Sequence, residues 1–205
     1  MLEITKSLLS ERAPKIVDAF QAPANLSAFE ELEKVIGTSL PQHFKSLYLD
    51  SDGLNNDHYA NLFYGYPFSS IKSILAYLAS FGDRRAPIEL RYADSEIRPE
   101  YTYSKKRIPI GDDRGTTLLC IDLDPSETGL YGQIIMVDYK MGVALKLNDS
   151  VQEMVLQFEK DLAADRYTLQ EDALADGVHW LQPEREIEPM NWFNSETWNH
   201  IKAKI

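Results

Sequence analysis

The chain has 205 residues, 44% of them hydrophobic, a length and composition typical of one soluble domain with room for a decorated tail. Its 32 aspartates and glutamates outnumber its 21 lysines and arginines, and the net charge of −11 argues against nucleic-acid binding, which needs an excess of positive charge. The first residues lack a signal-peptide pattern and no segment is apolar and long enough to span a bilayer, so we expect a cytoplasmic protein without a membrane partner.

Apolar residues at helical spacing predict two helices early in the chain. The first begins at a cap supplied by Asn25 or Ser27 and ends at Gly37. The second begins at Pro41, which is placed in the first turn. The N–H groups of a first turn have no acceptor inside the helix, so a proline there loses no hydrogen bond. The predicted apolar faces consist of Leu26, Phe29, Leu32, Val35 and Ile36 in the first helix, and of Phe44, Leu47 and Tyr48 in the second.

A short aromatic strand is predicted at 62–66, followed by a third helix that begins at Ser69 or Ser70 and ends at Gly82. The apolar face of this helix consists of Ile71, Ile74, Leu75 and Leu78. The segment 83–107 is polar and interrupted by prolines, so we interpret it as a long loop with at most one short helix or strand. It is also the one basic region of the sequence, with Arg84, Arg85, Arg91, Lys105, Lys106 and Arg107.

A Gly-Asp-Asp-x-Gly turn at 111–115 lies between two apolar segments and predicts a β-hairpin. The apolar runs around and after it predict four strands, at 107–110, 116–123, 133–138 and 143–147. Short turns between successive strands favour antiparallel pairing. The single cysteine, Cys120, stands between Leu119 and Ile121, and we interpret it as a small buried apolar residue rather than as a nucleophile.

The last quarter of the chain is predicted to be largely helical. A long helix begins at Asp149, a short helix lies within 167–177, the segment 182–194 is irregular, and the end at 195–205 is helical. Two apolar faces are predicted here, Val151, Met154, Val155, Phe158 and Leu162 in the long helix, and Trp198, Ile201 and Ile205 near the end. From Asp149 onward twelve acids stand against five bases, which predicts either a solvated acidic surface or a docking face.

Helices, then a run of strands, then helices again predict an α+β fold. We expect a mostly antiparallel sheet of about four to six strands, with helices packed largely on one face and a helical C-terminal tail. Residues 1–165 are predicted to form this domain, and residues 166–205 to form a C-terminal extension packed on it.

Three segments make the chain resemble the SUKH superfamily, which is named for a fungal cell-wall-assembly regulator and its bacterial relatives. The first is a Leu-Pro-x-x-Phe-x-x-Leu-Tyr motif at 40–48, followed by Asp-Gly at 52–53. The second is Ile-Pro-Ile-Gly-Asp-Asp at 108–113, which leads through a glycine into Leu-Leu-Cys-Ile-Asp-Leu at 118–123. The third is Gly-Gln-Ile followed by Val-Asp within 132–138, with an amphipathic helix after the last strand.

The resemblance covers roughly residues 26–162, and it implies an α+β fold and a role without catalysis or cofactor. Many bacterial members act as immunity proteins that neutralise secreted toxins, and fungal relatives act as regulators of cell-wall synthesis and as signalling scaffolds. The leading hypothesis is therefore an immunity protein that binds a basic toxin domain, as a monomer or weak homodimer, and the alternative is a regulatory scaffold. Three tryptophans lie beyond the similar region, namely Trp180, Trp192 and Trp198. They leave open the alternative that this protein binds a partner that its relatives do not bind.

If the partner is basic, acids beside the turn at 111–115 and on the long helix are candidate contacts, because acidic surfaces speed association with cationic partners. These candidates are Asp112, Asp113, Glu127, Glu153, Glu159 and Asp161. Tyr101 and Tyr103 are candidate aromatic anchors, since their neighbours are polar and exposed aromatic rings are typical of interface hot spots. Most of the other aromatic residues near the loops, including Tyr59, are expected in the core.

A remote alternative is a metal-dependent enzyme. Asp122 and Asp124 lie two residues apart in or beside a strand, so their carboxylates point to the same side and could hold a divalent cation. A structural role, in which Asp124 bonds turn amides, is favoured because no phosphate-binding glycine loop accompanies the pair. The four histidines are dispersed and show no metal-ligand spacing, so no metal site is predicted.

Overall fold

The computed structural model describes residues 1–81 and 88–205, and within these ranges it contains eight α-helices and seven β-strands. The helices are α1 (Glu3–Arg12), α2 (Pro14–Ala19), α3 (Leu26–Ile36), α4 (Gln42–Asp50), α5 (Ile71–Phe81), α6 (Val151–Ala163), α7 (Glu171–Ala175) and α8 (Asn199–Lys202). The strands are β1 (Tyr92–Ala93), β2 (Arg107–Asp112), β3 (Thr117–Asp122), β4 (Gln133–Asp138), β5 (Val143–Asn148), β6 (Tyr167–Leu169) and β7 (Leu181–Pro183). The predicted helix end at Gly82 and the basic pair Arg84 and Arg85 lie outside the described residues.

Five strands form one sheet in the order β1-β5-β4-β3-β2. Consecutive strands from β2 to β5 pair antiparallel, and Leu119 of β3 lies opposite Met136 of β4. The two residues of β1 pair parallel to β5, with Tyr92 opposite Val143. Helices before and after these strands complete the predicted α+β fold, and the four long strands lie where the apolar runs predicted them.

The sheet is covered on both faces, so its strands are buried along most of their length. Side chains alternate along β3: Leu119 and Ile121 join the main core with the helices, whereas Leu118 and Cys120 join a smaller cluster that includes Leu90. Burial on both faces explains the continuous apolar runs in the sequence. It also raises the pKa of the Cys120 thiol well above its usual value, as expected for a structural cysteine.

Two of the predicted helix starts and one predicted end are confirmed in detail. At the start of α3 the Asn25 side chain accepts a 2.8 Å hydrogen bond from the Ala28 N–H, and Gly37 ends this helix with a left-handed φ of 73°. At the start of α5 the Ser70 hydroxyl accepts from the Ser73 N–H at 3.2 Å. Each cap satisfies an amide or carbonyl that the helix itself leaves unpaired.

Other boundaries differ from the prediction by one residue. Ser150, rather than Asp149, caps α6: the Glu153 N–H donates to its hydroxyl at 3.2 Å, and the Asp149 N–H donates back to the Glu153 carboxylate at 3.1 Å. This reciprocal arrangement satisfies two free amides at once. Pro41 precedes α4 as its cap instead of lying in the first turn. Two residues assigned to the apolar face of α3 are exposed, namely Leu26 and Val35.

The segment 62–66 forms a tight 3₁₀ turn at Phe63–Gly65, and the prediction of a strand there is wrong. The backbone of Tyr64 is left-handed, with a φ of 56°, and the Leu62 N–H donates to the Tyr66 carbonyl at 2.7 Å, so the chain reverses within these residues. All of them are buried. The aromatic run therefore reflects core packing rather than the two-residue alternation of a strand.

Helices α1 and α2, which the apolar pattern did not predict, pack at the start of the chain. Leu2, Leu9 and Ile16 are buried in this part of the chain, but the buried residue between the two leucines is the polar Thr5. The Thr5 N–H and hydroxyl both donate to the Glu159 carboxylate of α6, at 3.0 and 2.8 Å. A polar residue with a buried partner thus interrupts the periodicity that would otherwise predict α1.

The C-terminal residues 166–205 contain a second, two-stranded antiparallel sheet of β6 and β7. Helix α7 matches the short helix predicted within 167–177, whereas β7 lies at the start of the segment predicted to be irregular. Trp192 and Ile201 are fully buried in the main core. These two side chains anchor the C-terminal residues in the core.

Candidate partner-binding surface

The β2–β3 turn is built by the two aspartates predicted as partner contacts. The Asp112 carboxylate accepts from the Arg114 N–H at 2.7 Å. The Asp113 carboxylate accepts from the Gly115 N–H at 2.7 Å, and from the Thr117 N–H and hydroxyl at 3.0 and 2.7 Å. Both aspartates are half-buried, and burial raises the pKa of Asp112. These bonds fix the position of two carboxylates at the surface.

Two other predicted contacts, Glu127 and Glu153, are exposed. Glu127 lies in the loop between β3 and β4, and Glu153 lies in the first turn of α6, where it takes part in the helix cap. The two carboxylates belong to different elements, and their role as partner contacts stays a prediction.

The expectation that Glu159 and Asp161 are available on the surface of α6 is wrong. Glu159 is 8% exposed and Asp161 is 3% exposed. Glu159 accepts both hydrogen bonds from Thr5 that join α1 to α6, whereas Asp161 accepts from Gln157 at 2.9 Å and from Arg166 at 3.3 Å. The packing of α1 and of residues after α6 covers a wider face of this helix than its apolar residues alone predict.

Tyr101 and Tyr103, predicted as aromatic anchors, are half-buried. The Tyr101 hydroxyl donates to the Asp124 carboxylate at 2.7 Å, and its ring lies 4.4 Å from the Arg107 guanidinium carbon. Burial, followed by this hydrogen bond to a carboxylate, raises the pKa of Tyr101. Tyr103 packs against Tyr139 with ring centroids 5.8 Å apart. Both rings are thus engaged with neighbours in the same chain.

The Asp122 and Asp124 pair holds together the end of β3. Asp122 is fully buried and accepts from the Asp124 N–H and from the Gln133 side chain, both at 3.1 Å, so Asp122 rather than Asp124 bonds the turn amide. Burial raises the pKa of Asp122. Asp124 accepts from Tyr101 and lies 3.4 Å from the Arg98 guanidinium. Within the described ranges, no three histidine, cysteine, aspartate or glutamate side chains cluster in a way that could hold a metal ion.

A groove that the sequence analysis did not predict lies around Trp180. It consists of three adjoining cavities of about 270, 110 and 480 Å³, and Trp180 borders all three. We call it the Trp180 groove. Its walls come from the segment before α5, from the β2–β3 turn and from the C-terminal residues, and its main lining residues are Tyr59, Pro67, Asp113, Gln170, Trp180 and Glu188.

The side chain of Asn61 joins two walls of the Trp180 groove. Its oxygen accepts from the Leu181 N–H at 2.7 Å, and its nitrogen donates to the carbonyls of Leu181 and Gly65, both at 2.8 Å. Asn61 is fully buried, so these three bonds satisfy an amide that would otherwise be costly to bury. On the other side, the Gln170 N–H donates to the Trp180 carbonyl at 2.9 Å. The backbone of Trp180 and of the following Leu181 is therefore held by hydrogen bonds to two different segments.

Two aromatic side chains face the same part of the groove. Tyr59 and Trp180 both border the cavities of about 110 and 480 Å³. Tyr59 is 63% exposed and has a left-handed φ of 47°, so the expectation that it lies in the core is wrong. Trp180 is half-buried. A sequence signal for this position was the tryptophan directly before Leu181 and Gln182. Side chains alternate along a strand, so a buried Leu181 places both of its neighbours, Trp180 and Gln182, toward solvent.

The charge around the groove is predominantly negative. Asp113 and Glu188 border the end of the groove near Pro67, whereas Asp172 of α7 and Asp176, which directly follows α7, border the opposite end. None of these four carboxylates forms an ion pair with a described residue. Arg114 is the one cationic side chain that borders these cavities within the described ranges.

Comparison with known proteins identifies the part of the chain that contains the sheet. The sequence profile described as the SMI1 / KNR4 family (SUKH-1) matches residues 23–157, which is more than half of the chain. No curated protein matches the sequence. The matched part includes Tyr59 and Asp113, whereas Trp180 and α7 lie beyond it. Among the described helices, none has the length and apolar character needed to cross a membrane.

Proposed function

This chain belongs to the SMI1 / KNR4 family (SUKH-1), and on that basis we propose that it acts by binding another protein. More specifically, we propose an immunity protein that neutralises a toxin by direct contact in the cytoplasm, without catalysis. Family membership is the observation that carries the proposal, because many bacterial members of the superfamily act as immunity proteins. The net charge of −11 supports a basic toxin domain as the partner, since opposite charge accelerates encounter.

The placement of the perturbed titratable groups supports a role without bond chemistry. Catalytic sites gather groups with shifted pKa values in a cleft that substrate can enter. Here burial raises the pKa values of Cys120 and Asp122, and both side chains are buried within or at the end of β3 and do not border the Trp180 groove. Their shifts accompany packing and hydrogen bonding, which favours a structural interpretation of both groups.

Coexpression tests the proposal. Toxin domains encoded beside the gene are induced in a bacterial host with and without the full chain, and growth is recorded. We expect the chain to restore growth and to bind the same domain in isothermal titration, with an affinity that falls as salt is raised. Equal killing with and without the chain, for every neighbouring toxin domain, would contradict the immunity role.

A regulatory scaffold for cell-wall synthesis is the second candidate, and the unmatched residues after 157 favour it because they provide a surface beyond the family pattern. A scaffold would bind a host protein and leave toxin killing unchanged. Light scattering of the full chain, alone and with the captured host protein, measures that assembly. We propose a monomer or weak homodimer for the free chain, which the same measurement checks.

A further inference from the structure

We propose that the Trp180 groove binds an arginine side chain presented by the protein partner, against the rings of Tyr59 and Trp180 and among the surrounding carboxylates. The inference rests on the proposed function, because it names the part of a protein partner that this surface recognises. It extends that function by placing recognition at a junction between the matched family domain and the residues that follow it.

The aromatic pair supplies the first argument. A cation over an aromatic face is attracted by the negative charge of the ring, and tryptophan and tyrosine are the strongest partners for it. Tyr59 and Trp180 border two shared cavities that open to solvent, and Tyr59 in particular is mostly exposed. A planar guanidinium that enters these cavities can stack on an aromatic ring and gain contact area there.

The carboxylates supply the second argument. Asp113 and Glu188 border one end of the groove and Asp172 and Asp176 the other, so among the described lining residues four carboxylates stand against the single cation of Arg114. Asp172 of α7 and Asp176, the residue that directly follows this helix, both border the cavity of about 480 Å³. Arginine fits these surroundings better than lysine. Its planar guanidinium can donate two parallel hydrogen bonds to a carboxylate while its flat face stacks on an aromatic ring.

The rigidity of the walls supplies the third argument. The Asn61 bonds to Leu181 hold one wall, and the Asp113 bonds within the β2–β3 turn hold another. A Cβ added at Gly65 would lie 3.0 Å from Met190 and 3.2 Å from Pro183, so the walls already approach closely at that point. A surface whose walls are held before binding loses little conformational entropy when the ligand arrives.

A second open cavity, of about 550 Å³, does not show the same charge imbalance. It is bordered by Glu96, Lys146 and Lys204 beside β1. Lys146 forms ion pairs with Glu96 and Asp149, and the Lys204 ammonium lies 5.2 Å from the centre of the Tyr92 ring. Its cations are already paired within the chain, so it offers a partner less uncompensated charge than the Trp180 groove does.

The experiment titrates the full chain with a short peptide of alternating arginine and glycine, and with the same peptide carrying citrulline, the neutral isostere of arginine. Calorimetry gives the affinity, and NMR follows the indole N–H signals. We expect the arginine peptide to bind about tenfold tighter than the citrulline peptide, and the Trp180 signal to shift while that of buried Trp192 stays. Equal affinity of the two peptides would overturn the proposal.

Variants locate the site. Trp180→Leu is expected to weaken arginine-peptide binding about tenfold, as for an interface hot spot. Tyr59→Ser changes an exposed ring and is expected to weaken binding without loss of thermal stability. Asp172→Asn is expected to weaken binding, whereas Glu171→Gln, the same charge change one residue earlier on α7 and outside the groove, is expected to leave it unchanged. Arg114→Gln removes the opposing charge and is expected to tighten binding. Unchanged affinity in both aromatic variants would refute the site.

The toxin assay separates failure of this inference from failure of the proposed function. If Tyr59→Ser and Trp180→Leu remain folded and protect cells from the toxin as well as the unaltered chain does, the groove is not the recognition surface although the immunity role stands. If the unaltered chain binds the arginine peptide through the groove but protects against no toxin, the immunity role fails while the ligand class of the groove stands. Loss of protection in both variants supports the inference.

Discussion

The indole N–H of Trp192 donates a 3.0 Å hydrogen bond to the Asp138 carboxylate, and both residues are buried. Asp138 ends β4 inside the region that matches the family, whereas Trp192 lies 35 residues beyond it. The other oxygen of Asp138 accepts from the Lys140 and Met141 amides in the turn to β5. One carboxylate thus joins a sheet turn to the C-terminal residues, and the two parts are expected to unfold together.

We therefore expect Trp192→Phe to lower the free energy of unfolding by about 1–3 kcal/mol, because it leaves one Asp138 oxygen without its buried donor. Urea unfolding followed by circular dichroism measures the change. Trp198→Phe is the matched control, since Trp198 is only half-buried, and it is expected to cost less. Equal losses in the two variants would show that the bond to Asp138 contributes nothing specific.

Replacement of Asn61 tests how the walls of the Trp180 groove are held. Asn61→Ala removes three buried hydrogen bonds and leaves the amide and carbonyl of Leu181 unpaired, so a loss of about 2–4 kcal/mol is expected. Hydrogen exchange at the Leu181 N–H is expected to accelerate more than exchange at the β3 and β4 amides. Asn55→Ala is the control, because the Asn55 side chain lies in the same region and accepts from the exposed Asp57 amide. Uniform acceleration across the chain would contradict a local role.

The buried Asp122 predicts a dependence of stability on pH. Its raised pKa means that the folded protein holds the proton more tightly than the unfolded chain does, so its contribution to stability rises as pH falls from neutrality through that pKa toward about 3.9, the unfolded value. Asp122→Asn removes this titration. The difference in unfolding free energy between the two proteins should therefore change with pH in that acidic window and be constant at neutral pH. A difference that does not vary with pH would contradict the raised pKa.

Cys120 is expected to react with thiol reagents only after the sheet opens. It is fully buried, and burial raises the pKa of its thiol, so both access and the thiolate fraction are low in the folded state. The labelling rate with a disulfide reagent should follow global unfolding as urea is added. Cys120→Ala serves as the control for reagent that attacks other groups. Fast labelling without denaturant would contradict this expectation and would mean that the smaller cluster around Cys120 and Leu90 opens locally.

The strands could be predicted because their apolar runs are continuous and the turns between them are short. Leu118 to Ile121 are all buried, since opposite faces of β3 meet two separate clusters, and such runs are typical of covered strands. Caps such as Asn25 and Ser70 were predictable for the same local reason, because a cap lies within three residues of the amide it satisfies.

The rest depends on contacts between distant parts of the chain, which leave no local pattern. Glu159 is an ordinary charged residue of a helix until Thr5, 154 residues away, donates to it. Asn61 acquires its role from Leu181, 120 residues away. The Trp180 groove was not predictable for this reason, since its walls come from three separate segments that only the folded chain brings together.

The C-terminal residues contribute a wall to the groove from their own small sheet, without adding a strand to the five-stranded one. Substitutions at exposed positions beside Trp180 are therefore expected to leave the hydrogen bonds of the five-stranded sheet intact while they change the shape and charge of the groove. Under natural selection, specificity can diverge on this side of the molecule with little penalty to folding. The sequences of related proteins that bind different partners are then expected to vary most around Trp180 and least along β3 and β4.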